Sequence, residues 1–391
     1  MIKRTLQELC LNITDGKHGD CENEGNSGYY FISCKDIFDG QINYKNARQI
    51  TKADFEETHK RTMLEVDDIL LTNSGTIGRM AFVTDREATT KTTFQKSVAI
   101  IKPDKQKVLP QFINSSNGSA QKNLLLSTMR TFQIEIEENR EKQEKIANTL
   151  SAYDDLIENN QKQIKLLEEA AQRLYKEWFV DLRFPGHENT EIVDGVPEGW
   201  NECTVESFGT VITGKTPPTS NKEYYTNGKV PFVTIPDMHN VVYPLKTEKR
   251  LTIEGAQTQK NKYIPPNGVM ISCIGTVGLV SIATEVCQTN QQINSIILNN
   301  EDDLYFFYES MLRMKDLLDG LGSNGATMTN INKSKLEKLI IISPSKDIVK
   351  QYNDVCKPLF ESALNLSRKN VYLKNMREAL LPKLMSGEVE V

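Results

Sequence analysis

The sequence predicts a mixed α+β protein. Two strand-rich globular domains are expected, separated by a pair of long antiparallel coiled-coil helices and related by a pseudo-two-fold axis. Three observations carry this. Short motifs of the first half return in the second at nearly constant offset. Each copy is rich in short β-like runs punctuated by Gly, Asn and Asp. A long heptad stretch follows each copy. The expected boundaries are 1–138 for the first domain, 139–186 for the central helix, 187–345 for the second domain and 346–391 for the C-terminal helix.

The duplication rests on four matches in the same order. Ile13-Thr14-Asp15-Gly16-Lys17 pairs with Val211-Ile212-Thr213-Gly214-Lys215, and Tyr30-Phe31-Ile32-Ser33 with Pro231-Phe232-Val233-Thr234. Leu71 to Gly78 pairs with Ile271 to Gly278, sharing Gly-Thr-(Ile/Val)-Gly, and Gln95 to Ile101 pairs with Gln291 to Ile297. The offsets stay between 196 and 201. Single matches of this length arise by chance; four collinear ones indicate a duplicated domain. The copies differ after their last match: Asp302 to Leu318 reads as helix in the second, whereas the first is shorter between Gln95 and Gly118.

The first heptad seam runs Ile146, Leu150, Tyr153, Ile157, Asn160, Ile164, Leu167, Ala171, Leu174 and Trp178, in alternating steps of four and three. Asn160 is its polar member, a residue type that fixes register at a cost in stability. Mixed charges between Asn139 and Val180 suit a solvated outer face. A helix of about 40 residues spans roughly 60 Å. The second seam runs Ile348, Tyr352, Val355, Leu359, Ser362, Leu366, Lys369, Leu373, Met376 and Leu380, with Lys369 in the place of Asn160. Pro358 is expected to start or kink that helix. Two such faces in one chain complement each other as an antiparallel pair.

Composition fits this picture. The 391 residues are enough for two or three domains at roughly 150 residues each. No apolar run is long enough to span a membrane, and the first residues, Met1 to Glu8, lack the apolar core of a signal peptide. A cytoplasmic protein is expected, with no membrane partner. The seven cysteines form no C-x-x-C pair and the four histidines show no ligand spacing, so neither a disulfide framework nor a metal site is expected. The net charge of −5 excludes a uniformly basic surface, although it leaves room for local basic patches.

Gly209 to Thr216 matches the phosphate-loop pattern G-x-x-x-x-G-K-[ST]. That pattern works only when Lys-Thr opens a helix whose amides face phosphate. Pro217-Pro218 follows at once and drives the backbone away from the α region. The repeat also has Leu11 where the first glycine stands. The segment is therefore read as a loop and not as a nucleotide site, and no other catalytic motif is present. Loops of this kind suit nucleic acid, since glycine lets backbone approach a ligand and lysine contacts phosphate. The candidate DNA-facing residues are Lys17, His18, Ser74, Thr76, Arg79, Gln95 and Lys96 in the first copy. In the second they are Lys215, Thr216, Thr276, Asn290, Gln291 and Gln292, whose amides match base edges. The same residues also suit ordinary turns, and a protein-interaction scaffold without a DNA role fits the pattern too.

Further segments narrow the choice. Ala152 to Asn160 leads into Leu174-Tyr175-Lys176-Glu177-Trp178-Phe179-Val180-Asp181, then Val196-Pro197-Glu198-Gly199-Trp200, and the chain closes on Leu380-Leu381-Pro382-Lys383-Leu384-Met385-Ser386-Gly387-Glu388. With the duplication, these make essentially the whole chain resemble the specificity subunit of type I restriction-modification systems. The resemblance implies two target recognition domains, each reading half of a split, asymmetric site in double-stranded DNA. It implies helices that set the gap between the halves and dock two modification (methyltransferase) subunits, with restriction (translocase-nuclease) subunits joining the complex. The chain itself would hold no cofactor. S-adenosylmethionine would belong to the modification subunits, and ATP and magnesium to the restriction subunits. This chain has no N-P-P-[FY] methyltransferase motif, and its first copy lacks the Pro-Glu-Gly-Trp opening.

Overall fold

A computed structural model describes residues 2–38, 40–108, 125–315, 317–318, 330–386 and 388–389. Residues 109–118, the end of the stretch expected to be shortened between Gln95 and Gly118, lie outside them. The chain divides into two compact units, Met1–Ile157 with Leu373–Val391, and Glu158–Tyr372.

In the first unit the strands are β1 (Ile2–Thr5), β2 (Cys10–Asp15), β3 (Tyr30–Ile32), β4 (Ile37–Phe38), β5 (Gln41–Ile42), β6 (Arg48–Gln49), β7 (Ile69–Thr72), β8 (Met80–Phe82), β9 (Thr92–Phe94), β10 (Val98–Pro103) and β11 (Gln133–Ile136). An antiparallel sheet has the order β2-β10-β7-β8. A second sheet places β3 between β6, antiparallel, and β9, parallel. β1 pairs with β11 and β4 with β5. The apolar runs Ile69-Leu70-Leu71 and Val98-Ala99-Ile100-Ile101 form the two central strands because both sheet faces are covered. Alternate residues enter different cores: Ile69, Leu71, Ala99 and Ile101 pack with Leu6, Leu9 and Ile13, while Leu70, Val98 and Ile100 pack with Ile32, Ile37 and Phe94.

The second unit repeats this plan. After a hairpin of β12 (Ile192–Val193) and β13 (Val196–Pro197) come β14 (Asn201–Thr204), β15 (Gly209–Thr213), β16 (Val230–Val233), β17 (Lys249–Leu251), β18 (Val269–Ser272), β19 (Val280–Ile282), β20 (Gln288–Thr289), β21 (Ile293–Leu298) and β22 (Ile340–Ser343). The four-stranded order is β15-β21-β18-β19, the three-stranded order β17-β16-β20 and the outer pair β14-β22. Parallel pairing of β16 with β20 repeats that of β3 with β9. The helix Leu304–Arg313 lies within the segment expected to be helical and is almost wholly buried. On it Glu309 is 1% exposed, and burial pushes its carboxyl up to about 8.

Two helices follow the copies, Arg140–Tyr175 and Lys346–Ser386. In the first unit Ile146 and Leu150 share a core with Leu384, and the Arg377 guanidinium lies 2.9 Å from the Asp154 carboxylate. In the second unit the buried Asn160 Nδ2 donates to Asn370 Oδ1 at 2.7 Å, and the Tyr352 hydroxyl donates to the Ala171 carbonyl at 3.2 Å. Within each unit, rising positions on one helix meet falling positions on the other, so the paired segments are antiparallel.

Two expectations for the C-terminal helix are corrected. The helix begins at Lys346, so Pro358 lies inside it and does not start it. Its buried stripe also leaves the strict heptad. Ile348, Tyr352 and Leu373 are buried as read from the sequence, but between Tyr352 and Leu373 it is Cys356, Phe360, Ala363 and Asn370 that are buried in place of Val355, Leu359, Ser362 and Lys369. Leu359, Leu366 and Leu380 are half-buried, and Met376 is exposed. The cause is the helical period: from Tyr352 to Ala363 the stripe steps four, four and three, the eleven-residue repeat of a nearly straight helix, which advances one position over a heptad frame. On the first helix Ile146, Leu150, Ile157 and Asn160 are buried, and Ile164 and Leu167 half-buried. Trp200 of the Val-Pro-Glu-Gly-Trp segment packs its ring 5.0 Å from Phe184 and 5.9 Å from Phe179, so this motif is a core element.

Candidate nucleic-acid interface

Three loops meet at one end of the four-stranded sheet in each copy, and backbone geometry brings them there. In the first copy β2 leads into Gly16-Lys17, where the Gly16 N–H donates to Val98 O at 3.3 Å and the Lys17 N–H to Phe94 O at 2.8 Å. In the second, the Gly214 N–H donates to Ile293 O at 3.0 Å and the Lys215 N–H to Thr289 O at 3.0 Å. Both positions require glycine: an added Cβ would lie 1.9 Å from Phe94 O at Gly16 and 2.1 Å from Asn290 O at Gly214. The loop after β7 is tied to the same place by Asn73 N–H to Ser97 O, 3.0 Å, and its counterpart by Cys273 N–H to Gln292 O, 2.7 Å. These loops turn on glycines of positive φ, Gly75 at 78° and Gly78 at 86°, matched by Gly275 at 82° and Gly278 at 80°.

The bonds also correct one alignment. Val98 matches Ile293, so Gln95 corresponds to Asn290, Lys96 to Gln291 and Ser97 to Gln292, one position earlier than the sequence match suggested.

The structure thus gathers the candidate residues of each copy, but their side chains differ in availability. Lys96, Arg79, Thr76, His18, Lys215, Thr276 and Gln291 are exposed. Ser74, Gln95, Thr216 and Gln292 are partly buried, and Asn290 is buried. The Asn290 Nδ2 donates to Gln292 Oε1 at 2.9 Å, and the Gln292 Nε2 to Ile274 O at 3.4 Å, so these amides brace the loops against each other. The Thr216 hydroxyl donates to Gln291 Oε1 at 2.5 Å, and the Arg79 guanidinium to Ile37 O at 3.3 Å.

The first copy holds partners that the sequence pattern did not disclose. The Lys17 ammonium lies 3.1 Å from Asp54 Oδ1 and 3.0 Å from Glu57 Oε2, and these bonds hold its pKa above the usual lysine range. The His18 Nε2 lies 2.8 Å from Asp15 Oδ2, whose other oxygen receives the Arg61 guanidinium at 2.5 Å. Arg48 bonds Asp20 and Asn23.

Gly209–Thr213 is strand β15, and no helix opens at Lys215-Thr216. The segment therefore lacks the helix N-terminus that phosphate loops use. Among the described residues no group of three or more His, Cys, Asp or Glu could hold a metal ion, and no helix is long and apolar enough to cross a membrane.

A family model described as the type I restriction modification DNA specificity domain matches residues 15–169 and 197–371, one match per copy. The chain belongs to this family. It is 35% identical over 312 residues to the type I restriction enzyme HindI specificity subunit of Haemophilus influenzae, covering 64% of this chain and 68% of that one. It is 29% identical over 387 residues to the MjaIX specificity subunit of Methanocaldococcus jannaschii, covering 92% and 87%. Its fold resembles the crystal structure of a type I restriction-modification S subunit from M. genitalium, with a TM-score of 0.52 and 15% identity over 98% of this chain and 95% of that one. Specificity subunits of this kind select DNA sequence and are not themselves catalytic.

Proposed function

We propose that each copy reads one half of a split, asymmetric DNA target through its three-loop cluster. The observation that carries this reading is the repetition: the same loops, tied by equivalent backbone bonds, stand at the same end of the same sheet in both copies. Cationic tips such as Lys96 and Lys215 suit phosphate, while Gln95 and Gln291 carry amides suited to base edges. Asn290 and Gln292 act from behind by fixing the loop.

On this reading the helices dock two modification subunits, which bring S-adenosylmethionine, and restriction subunits bring ATP and magnesium. The complex works on double-stranded DNA in the cytoplasm. Mapping methylated bases in a host that carries this chain with its methyltransferase partner tests the proposal. The expected result is a motif of two specified blocks with unread bases between them. A single continuous motif, or methylation independent of this chain, contradicts it.

A further inference from the structure

Lys17 and Lys215 occupy one place in the duplicated fold but keep different company. Their backbones are equivalent, each following a required glycine and each donating to the β9 or β20 strand end. The side chain of Lys17 is committed to two carboxylates of the helix Lys52–Thr62. Asp54 is itself fixed: its Oδ2 accepts the Glu22 N–H at 2.6 Å, and its own N–H donates to the capping Thr51 hydroxyl at 3.2 Å.

The second copy starts its corresponding helix, Ile253–Gln257, with the same cap, the Gly255 N–H donating to Thr252 Oγ1 at 3.1 Å. Counted from the cap, Gly255 stands where the first copy has Asp54, and Thr258 where it has Glu57. Thr213 stands in place of Asp15, as their strand pairings with Asn294 and Ala99 show. All three carboxylates are therefore missing from the second copy, and among the described residues Lys215 makes no ion pair.

We infer that the two copies share the DNA backbone contact unequally: Lys215 grips a phosphate in its half-site, whereas Lys17 is a positioning residue that ties its loop to the helix Lys52–Thr62. This rests on the reading that these loops face DNA. A phosphate approaching Lys17 would have to displace Asp54 and Glu57 and would be repelled by both; among the described residues no carboxylate competes for the Lys215 ammonium.

The test uses the complex of this chain with its modification subunits, a duplex carrying the split motif in unmethylated form, and affinity measured across a series of KCl concentrations. Lys215→Gln is expected to lower the slope of log affinity against log salt by about one. Thr258→Glu, which puts a carboxylate at the position equivalent to Glu57, is expected to lower it in the same direction. Lys17→Met is expected to leave the slope unchanged but to relax methylation specificity in the first half of the target only, with Lys17→Arg restoring it. A Lys17→Met slope that falls as far as that of Lys215→Gln overturns the unequal sharing and leaves the loop assignment standing. Slopes unmoved in both variants, with the split target still methylated, overturn the inference together with the loop assignment, because the phosphate contacts then lie elsewhere.

Discussion

Gly214→Ala is expected to abolish recognition of the second half-site while the first is still read. The added methyl group would stand 2.1 Å from Asn290 O, 2.3 Å from Thr289 Oγ1 and 2.5 Å from Thr289 O. Two of these are backbone atoms, so the strain cannot be relieved by a rotamer change. The loop must retreat from the β20 end, breaking the Lys215 N–H to Thr289 O bond and pulling Lys215 and Thr216 away from Gln291. Overpacking of this kind costs about 1–3 kcal/mol, and more where backbone must move. Methylation mapping reads the outcome as lost discrimination in one block of the motif. Unchanged discrimination in both blocks would show that the loop tolerates displacement and does not read bases.

Phe360→Ala is expected to destabilise the second unit by about 3–5 kcal/mol, the usual cost of emptying a buried phenyl site. Phe360 is 2% exposed. Its ring stacks on Tyr305 at 4.4 Å with planes 8° apart and meets Tyr308 edge-on at 5.6 Å. Val355, 48% exposed and assigned to the seam by the heptad, serves as the control: Val355→Ala should change stability by no more than about 0.5 kcal/mol. Denaturant titration of the two variants measures both. A larger loss from Val355→Ala than from Phe360→Ala would restore the heptad seam.

The duplication was legible because each match combined a turn glycine with an apolar strand, and both constrain the backbone locally. Ile69 to Leu71 and Val98 to Ile101 could be read as buried strands for that reason, and Ile146, Leu150 and Ile157 as a helical stripe. The C-terminal stripe was misread because heptad counting assumes supercoiling throughout, whereas the helix from Tyr352 to Ala363 follows an eleven-residue period that moves burial from Leu359 to Phe360. The match of Gln95 to Gln291 failed by one position because side-chain likeness outweighed register; backbone bonds align Gln95 with Asn290. The partners of Lys17 lie 37 and 40 positions away on another element, a separation no local pattern encodes. In the loops, the glycines that shape the site were therefore visible, but which polar groups were already spoken for was not.

The most direct test of the account is to exchange residues 191–345 for the corresponding domain of a divergent family member and map methylation again. One block of the motif is expected to change to a new sequence while the other is retained. A motif that changes in both blocks, or in neither, would contradict the assignment of one half-site to each copy.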